Sequence, residues 1–325
     1  MTTAEGLEPS GGLGRTSRAG DRAFSALTTG AGLFVLVLIV AIGVFLITKA
    51  VPALQQDTKG FFTTKLWSPD NDPPVFGIAA LAFGTVLSSV IALLIAGPVA
   101  IGIALYISDY APRRLAAPIG YLVDLLAAVP SVVYGLWGLL FLAPKSEKFQ
   151  QFLSDHLGFI PLFDLGKSGV VGRSVLIASL VLAIMILPII AAISREIFLQ
   201  VPQQNREAAL ALGATKLEMI RLSVLPYSRS GVVGALMLGL GRALGETIAV
   251  ALVLSLSYST SFHIIDANIG GNTIAANIAA QYQAAEPLGQ KALIASGLVL
   301  FVITFAVNGL ARWVVTRSGK RTAAA

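Results

Sequence analysis

Charged side chains are so sparse along this chain that six long stretches are nearly free of them. Residues 23–48, 73–108, 174–194 and 292–311 contain no Asp, Glu, Lys or Arg. Residues 115–144 contain only Asp124, and residues 230–265 only Arg242 and Glu246. About 20 apolar residues span the hydrocarbon core of a bilayer as a helix. The pattern therefore predicts an all-α integral membrane protein with six transmembrane helices. Stretch 73–108 would run about 54 Å as one straight helix, too long for a core of about 30 Å. A span up to Gly97, a kink at Pro98 and a continuation toward Arg113 is expected there.

Composition agrees. Of 325 residues, 55% are hydrophobic and 12% charged, with a mean hydropathy of +0.80. Too few charges remain to cover a soluble domain of this size, and disorder needs the opposite balance. Residues 1–22 read as a flexible tail rather than a secretory signal, because the apolar run begins late and no small-residue cleavage site follows it.

The net charge of +6 suggests nucleic acid until its placement is considered. Six spans put both termini on one side, with loops 1–22, 109–114, 195–229 and 312–325. Those loops hold 14 basic and 7 acidic residues, whereas the opposite side holds 8 of each. The positive-inside rule makes both termini cytoplasmic. The excess charge records topology, and no nucleic acid is expected. The expected divisions are the tail 1–22, a first helix with its outer loop over 23–75, a membrane domain over 76–312, and a basic cytoplasmic tail over 313–325.

Loop 195–229 has unusual local chemistry for a connector. Pro202 ends the preceding helix, and residues 207–212 are strong helix formers. Gly213 suits a C′ position with positive φ. Thr215 and Glu218 form a capping-box pattern that opens a second short helix, apolar at Leu217, Ile220, Leu222, Val224 and Leu225 and stopped by Pro226. The reading is helix, glycine turn, helix on the cytoplasmic surface. A plain amphipathic helix lying on the bilayer is the bland alternative, and it has no use for the glycine spacing.

The spacing Glu207-Ala208-Ala209, three residues, Gly213, nine residues, position 223, one residue, Leu225-Pro226 resembles the EAA motif of ABC importer permeases. Position 223 is Ser where the family pattern has Ile. The resemblance implies a loop that docks on an ATPase subunit through Glu207, Ala208, Ala209, Gly213, Leu225 and Pro226.

Arg242 and Glu246 stand four residues apart in residues 239–247, Gly-Leu-Gly-Arg-Ala-Leu-Gly-Glu-Thr, which places them on one face if the helix is continuous. Arg242 falls near the middle of that span, where a lone guanidinium costs at least about 2.5 kcal/mol. Either the two form an internal ion pair, or the guanidinium meets an anion with Glu246 orienting or releasing it, or both hold in turn. Gly241 and Gly245 form a GxxxG that permits close helix approach. Asp124 is expected at the cytoplasmic mouth or paired with a basic residue there. Ser131 and Tyr134, just past Pro130, either offer hydroxyls to an anion or satisfy carbonyls freed by the proline.

These residues, with Pro130-Ser131 and Tyr134-Gly135, look like those of PstC-type permeases of bacterial phosphate importers, over about residues 30–315. The resemblance implies a type I ABC importer permease fold in the cytoplasmic membrane and a role in moving inorganic phosphate by alternating access. It implies a homologous second permease, two ATPase subunits and an extracytoplasmic phosphate-binding protein as partners, with lipid around the spans. A permease for another oxyanion, molybdate or sulfate, is the nearest alternative. A secondary anion transporter is a further one, but the two halves show no convincing repeat. The chain has no Gly-x-x-x-x-Gly-Lys-Ser/Thr run, so ATP hydrolysis is expected in partner subunits and no catalytic residue in this one. No cofactor or metal is expected, with no cysteine and with His156 and His263 far apart. Trp67, Trp137 and Trp313 read as interface anchors, and the Phe-rich outer loop 145–173 as a hairpin against the binding protein.

Overall fold

The computed structural model describes residues 18–57, 59–165, 171–255, 257–267 and 271–322. Residues 1–17 of the expected N-terminal tail and 323–325 of the C-terminal one lie outside them. The chain divides into two compact units, residues 1–45 and 46–325. Helix α1 (Arg18–Leu54) supplies the described part of the first unit. Its side chains there, including Leu33, Phe34 and Phe45, are apolar and exposed on every side, as in a helix whose solvent is lipid.

The second unit continues through a two-stranded hairpin, β1 (Trp67–Ser68) and β2 (Val75–Phe76), in which Trp67 pairs with Phe76. Among the described residues eleven further α-helices follow: α2 (Ala79–Leu105), α3 (Arg113–Ala127), α4 (Ser131–Trp137), α5 (Ala143–Leu157), α6 (Val175–Leu199), α7 (Gln203–Ala211), α8 (Lys216–Met219), α9 (Leu225–Leu244), α10 (Ile248–Val253), α11 (Ile274–Gln281) and α12 (Pro287–Thr322). The central packing is α2 along α6, with α9 against both. Gly84, Ser88, Ala92, Ala96, Ala100 and Ala104 recur every four residues along α2, and all are buried. A spacing of four traces a ridge inclined to the helix axis. Small side chains on that ridge let the α6 backbone approach, which is how helices gain contact where lipid removes the hydrophobic drive. Opposite them lie Ile177, Leu182, Ile186 and Ile190, all buried. A second core at the other end joins Ala50 and Ala53 of α1 to Phe61, Trp67, Phe76 and Leu293.

Among the described residues three widened π-turns end or interrupt the helices, at Tyr106–Tyr110, Gly138–Leu142 and Ile220–Val224. Each ends two residues before a proline: Pro112, Pro144 and Pro226. A proline ring clashes with the carbonyl four residues back and offers it no N–H. For Pro144 and Pro226, where the helix continues, those carbonyls belong to Leu140 and Leu222, inside the π-turns, so the wide turn makes room for the ring; at Pro112 the backbone is already extended and the π-turn instead ends α2. Pro226 accordingly does not stop the second helix of the cytoplasmic loop. The helix passes through a π-turn and continues as α9, with Pro226 in a first turn where no donor is needed. Pro98 behaves differently from expectation: α2 runs through it as one helix, and the irregularity falls later, at Tyr106–Tyr110.

Among the described residues four helices are long and apolar enough to cross a membrane: α1, α2 with its π-turn, α6 and α12. The stretch expected as the third span is two segments, α3 and α4–α5, bent by 87° at residues 128–130. Counted as one broken span it makes five. The expected span 230–265 is not a single helix either. Helix α9 ends at Leu244, Gly245 to Thr247 form a break, and the six-residue α10 ends at Val253. Trp67 is no interface anchor. It is buried and donates its indole N–H to Gln281 Oε1 at 2.8 Å. The basic tail begins as helix, since α12 runs to Thr322.

Candidate functional site

The break after α9 brings together the charges singled out in sequence, and it separates their tasks. Arg242 lies in the last turn of α9, where helix carbonyls favour a cation. Glu246 lies past the helix end, 9% exposed, and its Oε1 accepts the backbone N–H of Ala249 at 3.2 Å. The carboxylate is thus an N-terminal cap for α10. Because α9 stops at Leu244, the four-residue spacing does not put the two side chains on one helical face. Among the described residues Arg242 forms no ion pair, whereas Asp109, Asp124 and Glu196 each pair with an arginine. Arg242 is exposed within this chain.

Packing gives the height of Arg242. A Cβ on Gly231 would meet Ile197, and one on Gly239 would meet Ile190, both below 3 Å. The two helices are therefore antiparallel in a known register. Three residues beyond Gly239, Arg242 stands level with about residue 187, the centre of the 25-residue α6. Close approach is mediated by Gly231 and Gly239. The GxxxG glycines are not used this way: a Cβ on Gly241 would meet nothing within 4 Å, and one on Gly245 only its own helix.

The other end of α10 is held by Arg173, which lies just before α6 in the chain. The Arg173 guanidinium donates to the carbonyls of Leu252 (3.0 Å), Val253 (3.2 Å) and Leu254 (2.7 Å). A short helix isolated in apolar surroundings must have its terminal groups satisfied, and Glu246 and Arg173 do this at opposite ends. Each also has the sign that its end of the helix dipole favours. A basic residue directly before a buried helix was the only signal available in sequence.

Helix α4 packs on α10 through Gly135, whose added Cβ would stand 2.7 Å from Ala249 Cα. This contact brings Tyr134 to the site, near enough to Arg242 for the guanidinium charge to act on its phenol. The Tyr134 hydroxyl donates to the Leu126 carbonyl at 2.9 Å. Leu126 is four residues before Pro130, so it loses its regular helical donor to the proline, and the Val129 N–H at 3.3 Å shares the carbonyl with Tyr134. Of the two readings left open, carbonyl satisfaction is the one formed here. Ser131 is the first residue of α4, on the far side of the same break.

Asp124 belongs to a different level. It accepts from Arg195 at 3.5 Å, and Arg195 also donates to Glu196 at 2.8 Å. Gly120 leaves room for the guanidinium, since a Cβ there would meet Arg195 Nη1. The cluster borders a cavity of about 280 Å³ with Ile107, Tyr121 and Leu199. Arg195 is level with about residue 234 of α9, so this cluster sits about 12 Å along the helix axis from Arg242. The expected pairing of Asp124 with a basic residue is present, and it does not join Arg242, Glu246 and Tyr134.

The cytoplasmic loop has the local structure its chemistry dictates. Helix α7 ends with Gly213 at φ +85°, and the Ala214 N–H reaches back to the Ala209 carbonyl, closing a Schellman-type turn. The capping box is complete: Glu218 N–H donates to the Thr215 hydroxyl, and Glu218 accepts from Thr215 N–H and from its hydroxyl, both at 2.8 Å. Those bonds, the backbone one first, hold the Glu218 carboxyl below its usual range. Glu207, Ala208, Gly213 and Pro226 are exposed, while Ala209 and Leu225 are half-buried against Phe198, Met219 and Ile220. Leu212 is 89% exposed.

Comparison with known proteins gives consistent results. Residues 96–320 match the family described as "Binding-protein-dependent transport system inner membrane component". The protein named "Phosphate transport system permease protein PstC 2" of Mycobacterium tuberculosis is 48% identical over 302 residues, 92% of each chain. The "Phosphate transport system permease protein PstC" of Xylella fastidiosa is 42% identical over 309 residues, 94% of each chain. Among solved structures, a bacterial ABC transporter involved in the import of the acidic polysaccharide alginate aligns over 90% of this chain and 98% of that one. Its TM-score is 0.51 at 19% identity, a likeness of fold alone.

Proposed function

This chain belongs to the family of binding-protein-dependent transport system inner membrane components, and on that premise we propose that it is the permease subunit of an ATP-driven importer of inorganic phosphate. It resides in the cytoplasmic membrane as a multi-pass protein. ATP hydrolysis belongs to two partner ATPases that dock on Glu207, Ala208, Ala209, Gly213, Leu225 and Pro226. An extracytoplasmic phosphate-binding protein delivers the anion, and a homologous permease completes the pathway. Both termini lie in the cytoplasm.

One observation supports the substrate contact above the rest. Arg242 is exposed level with the middle of α6, and among the described residues no carboxylate claims it. A guanidinium offers a planar fork of donors matched to phosphate oxygens. Glu246, occupied with the Ala249 N–H, leaves that charge available to an anion. Tyr134 stands beside it with its hydroxyl donated to Leu126, and turning that hydroxyl would bring a second donor to the anion. Ser131 lies one turn earlier, and the Asp124–Arg195 pair lies toward the cytoplasmic end of the path.

Uptake of labelled phosphate by the reconstituted importer tests the reading, with sulfate and molybdate as competitors. Arg242→Ala is expected to abolish uptake while the ATPases still co-purify. Unaltered uptake in that variant removes the anion-contact role, and inhibition by molybdate or sulfate at lower concentration than phosphate removes phosphate as the substrate.

A further inference from the structure

We infer that Asp109 and Ser223 are positioning residues that convert movement of α7 into movement of the membrane helices α2 and α9. The inference rests on the reading of residues 195–229 as the ATPase-docking loop. Two neighbouring residues of α7 are each fastened to a π-turn. Arg206 donates to the Asp109 carboxylate, inside the turn Tyr106–Tyr110 that ends α2. Its other nitrogen donates to the Phe198 carbonyl at the end of α6. The Asp109 side chain is 1% exposed, and its second oxygen accepts from Ser108 Oγ at 2.6 Å. One residue before Arg206, the Asn205 carbonyl accepts the Ser223 hydroxyl at 3.0 Å, inside the turn Ile220–Val224 that opens α9. Lys216 adds a weaker tie, its ammonium 4.8 Å above the Tyr110 ring.

The two kinds of part differ in stiffness. A buried, charge-assisted bond is costly to break, because it leaves an unpaired charge behind. A π-turn is a local irregularity of the helix ladder and a recurrent site of function. A displacement of α7 is therefore carried firmly by the buried Arg206–Asp109 bond and more weakly by the exposed Ser223–Asn205 bond, and the two turns act as hinges that pass it to α2 and α9. Helix α7 has a face free to receive that displacement, since Glu207 and Ala208 are exposed. Ser223, the position that departs from the motif's Ile, has a role here that an isoleucine could not perform through a hydroxyl.

The test uses the assembled importer in proteoliposomes, with ATP hydrolysis, labelled phosphate uptake and ATPase co-purification measured on the same preparations. Asp109→Asn is expected to keep assembly and hydrolysis within about twofold and to lower phosphate imported per ATP about tenfold. Ser223→Ala is expected to lower that ratio about threefold. The exchanged pair D109R/R206D is expected to recover most of the ratio lost in either single exchange. An unchanged ratio in both Asp109→Asn and Ser223→Ala overturns the inference. So does a fall in uptake matched by equal loss of assembly in the single exchanges and in the pair. Failure of the wild-type complex to import phosphate counts against the proposed function instead, and the two failures are thereby distinguished.

Discussion

The seam between α4 and α10 gives a prediction whose sign can be worked out atom by atom. Gly135 and Gly138 both lie buried on α4 or its extension, three residues apart, and both lack room for a methyl group. The obstacles differ. At Gly135 the new Cβ would stand 2.7 Å from Ala249 Cα, a backbone atom fixed by the Glu246 cap at one end of α10 and by Arg173 at the other. At Gly138 it would stand 2.5 Å from Val181 Cγ2 and 3.0 Å from Val253 Cγ2, both side-chain methyls. Overpacking of either kind costs about 1–3 kcal/mol. Removing the Val181 methyls clears the nearest clash at Gly138, and the added methyl fills part of the space vacated. Gly138→Ala should therefore lower stability by about 2 kcal/mol, and G138A/V181A should return to within about 1 kcal/mol of the parent. Gly135→Ala should cost at least as much as Gly138→Ala and should not be relieved by Ala249→Gly, because the Cα remains. Thermal loss of the monodisperse complex in detergent, followed by fluorescence-detected size exclusion, ranks the variants. Equal relief of both glycine variants, or no relief of Gly138→Ala by Val181→Ala, would refute the seam as described.

Three further outcomes are expected. Gly213 has φ +85° and open space around its Cβ position, so Gly213→Ala should weaken ATPase co-purification through backbone strain of about 1–2 kcal/mol, and Gly213→Asn should do so less. Arg173→Ala should cost more than Arg173→Lys in the same thermal assay, about 1–2 kcal/mol, since up to three carbonyls, two of them part-buried, lose their donor. Glu218 has its folded pKa held down by Thr215, so its contribution is complete above the ordinary carboxylate range and fades as pH falls through the folded value. Amide exchange at residues 215–219 should lose protection in that acid window. Glu218→Gln, which can still cap but cannot titrate, should remove the pH dependence.

Long apolar stretches and cytoplasmic-loop chemistry were legible because each is local. The capping box, the positive φ at Gly213 and the end of α6 before Pro202 depend on residues within a few positions of one another. The two broken spans were not legible. Hydropathy reports which residues prefer lipid, and it is indifferent to whether they form one helix or two at 87°. Pro130 marked the first break, but the Leu126 carbonyl beside it, which accepts the Val129 N–H, gains a further donor from Tyr134, eight residues along the chain. The buried ridge on α2 was readable in principle as a small residue every four positions from Gly84 to Ala104. The contacts of Arg173, Arg206 and Ser223 reach 79–81, 97 and 18 residues along the chain, respectively, and needed the fold.

The second break changes what Arg242 can do. In a continuous helix, Arg242 and Glu246 would neutralise one another, and an anion would first have to displace a carboxylate held four residues away. The break transfers Glu246 to the N-terminal turn of α10 and leaves Arg242 at the C-terminal turn of α9. Each charge then meets the helix end whose dipole favours it. An uncompensated guanidinium level with the centre of α6 would cost at least about 2.5 kcal/mol in lipid, and an anion beside it would relieve that cost. An ion pair holding a helix in register would have called for an unbroken helix. Interrupting that helix at the level of the centre of α6, with Glu246 turned to cap α10 and Arg242 outside any ion pair among the described residues, suits the proposed anion contact.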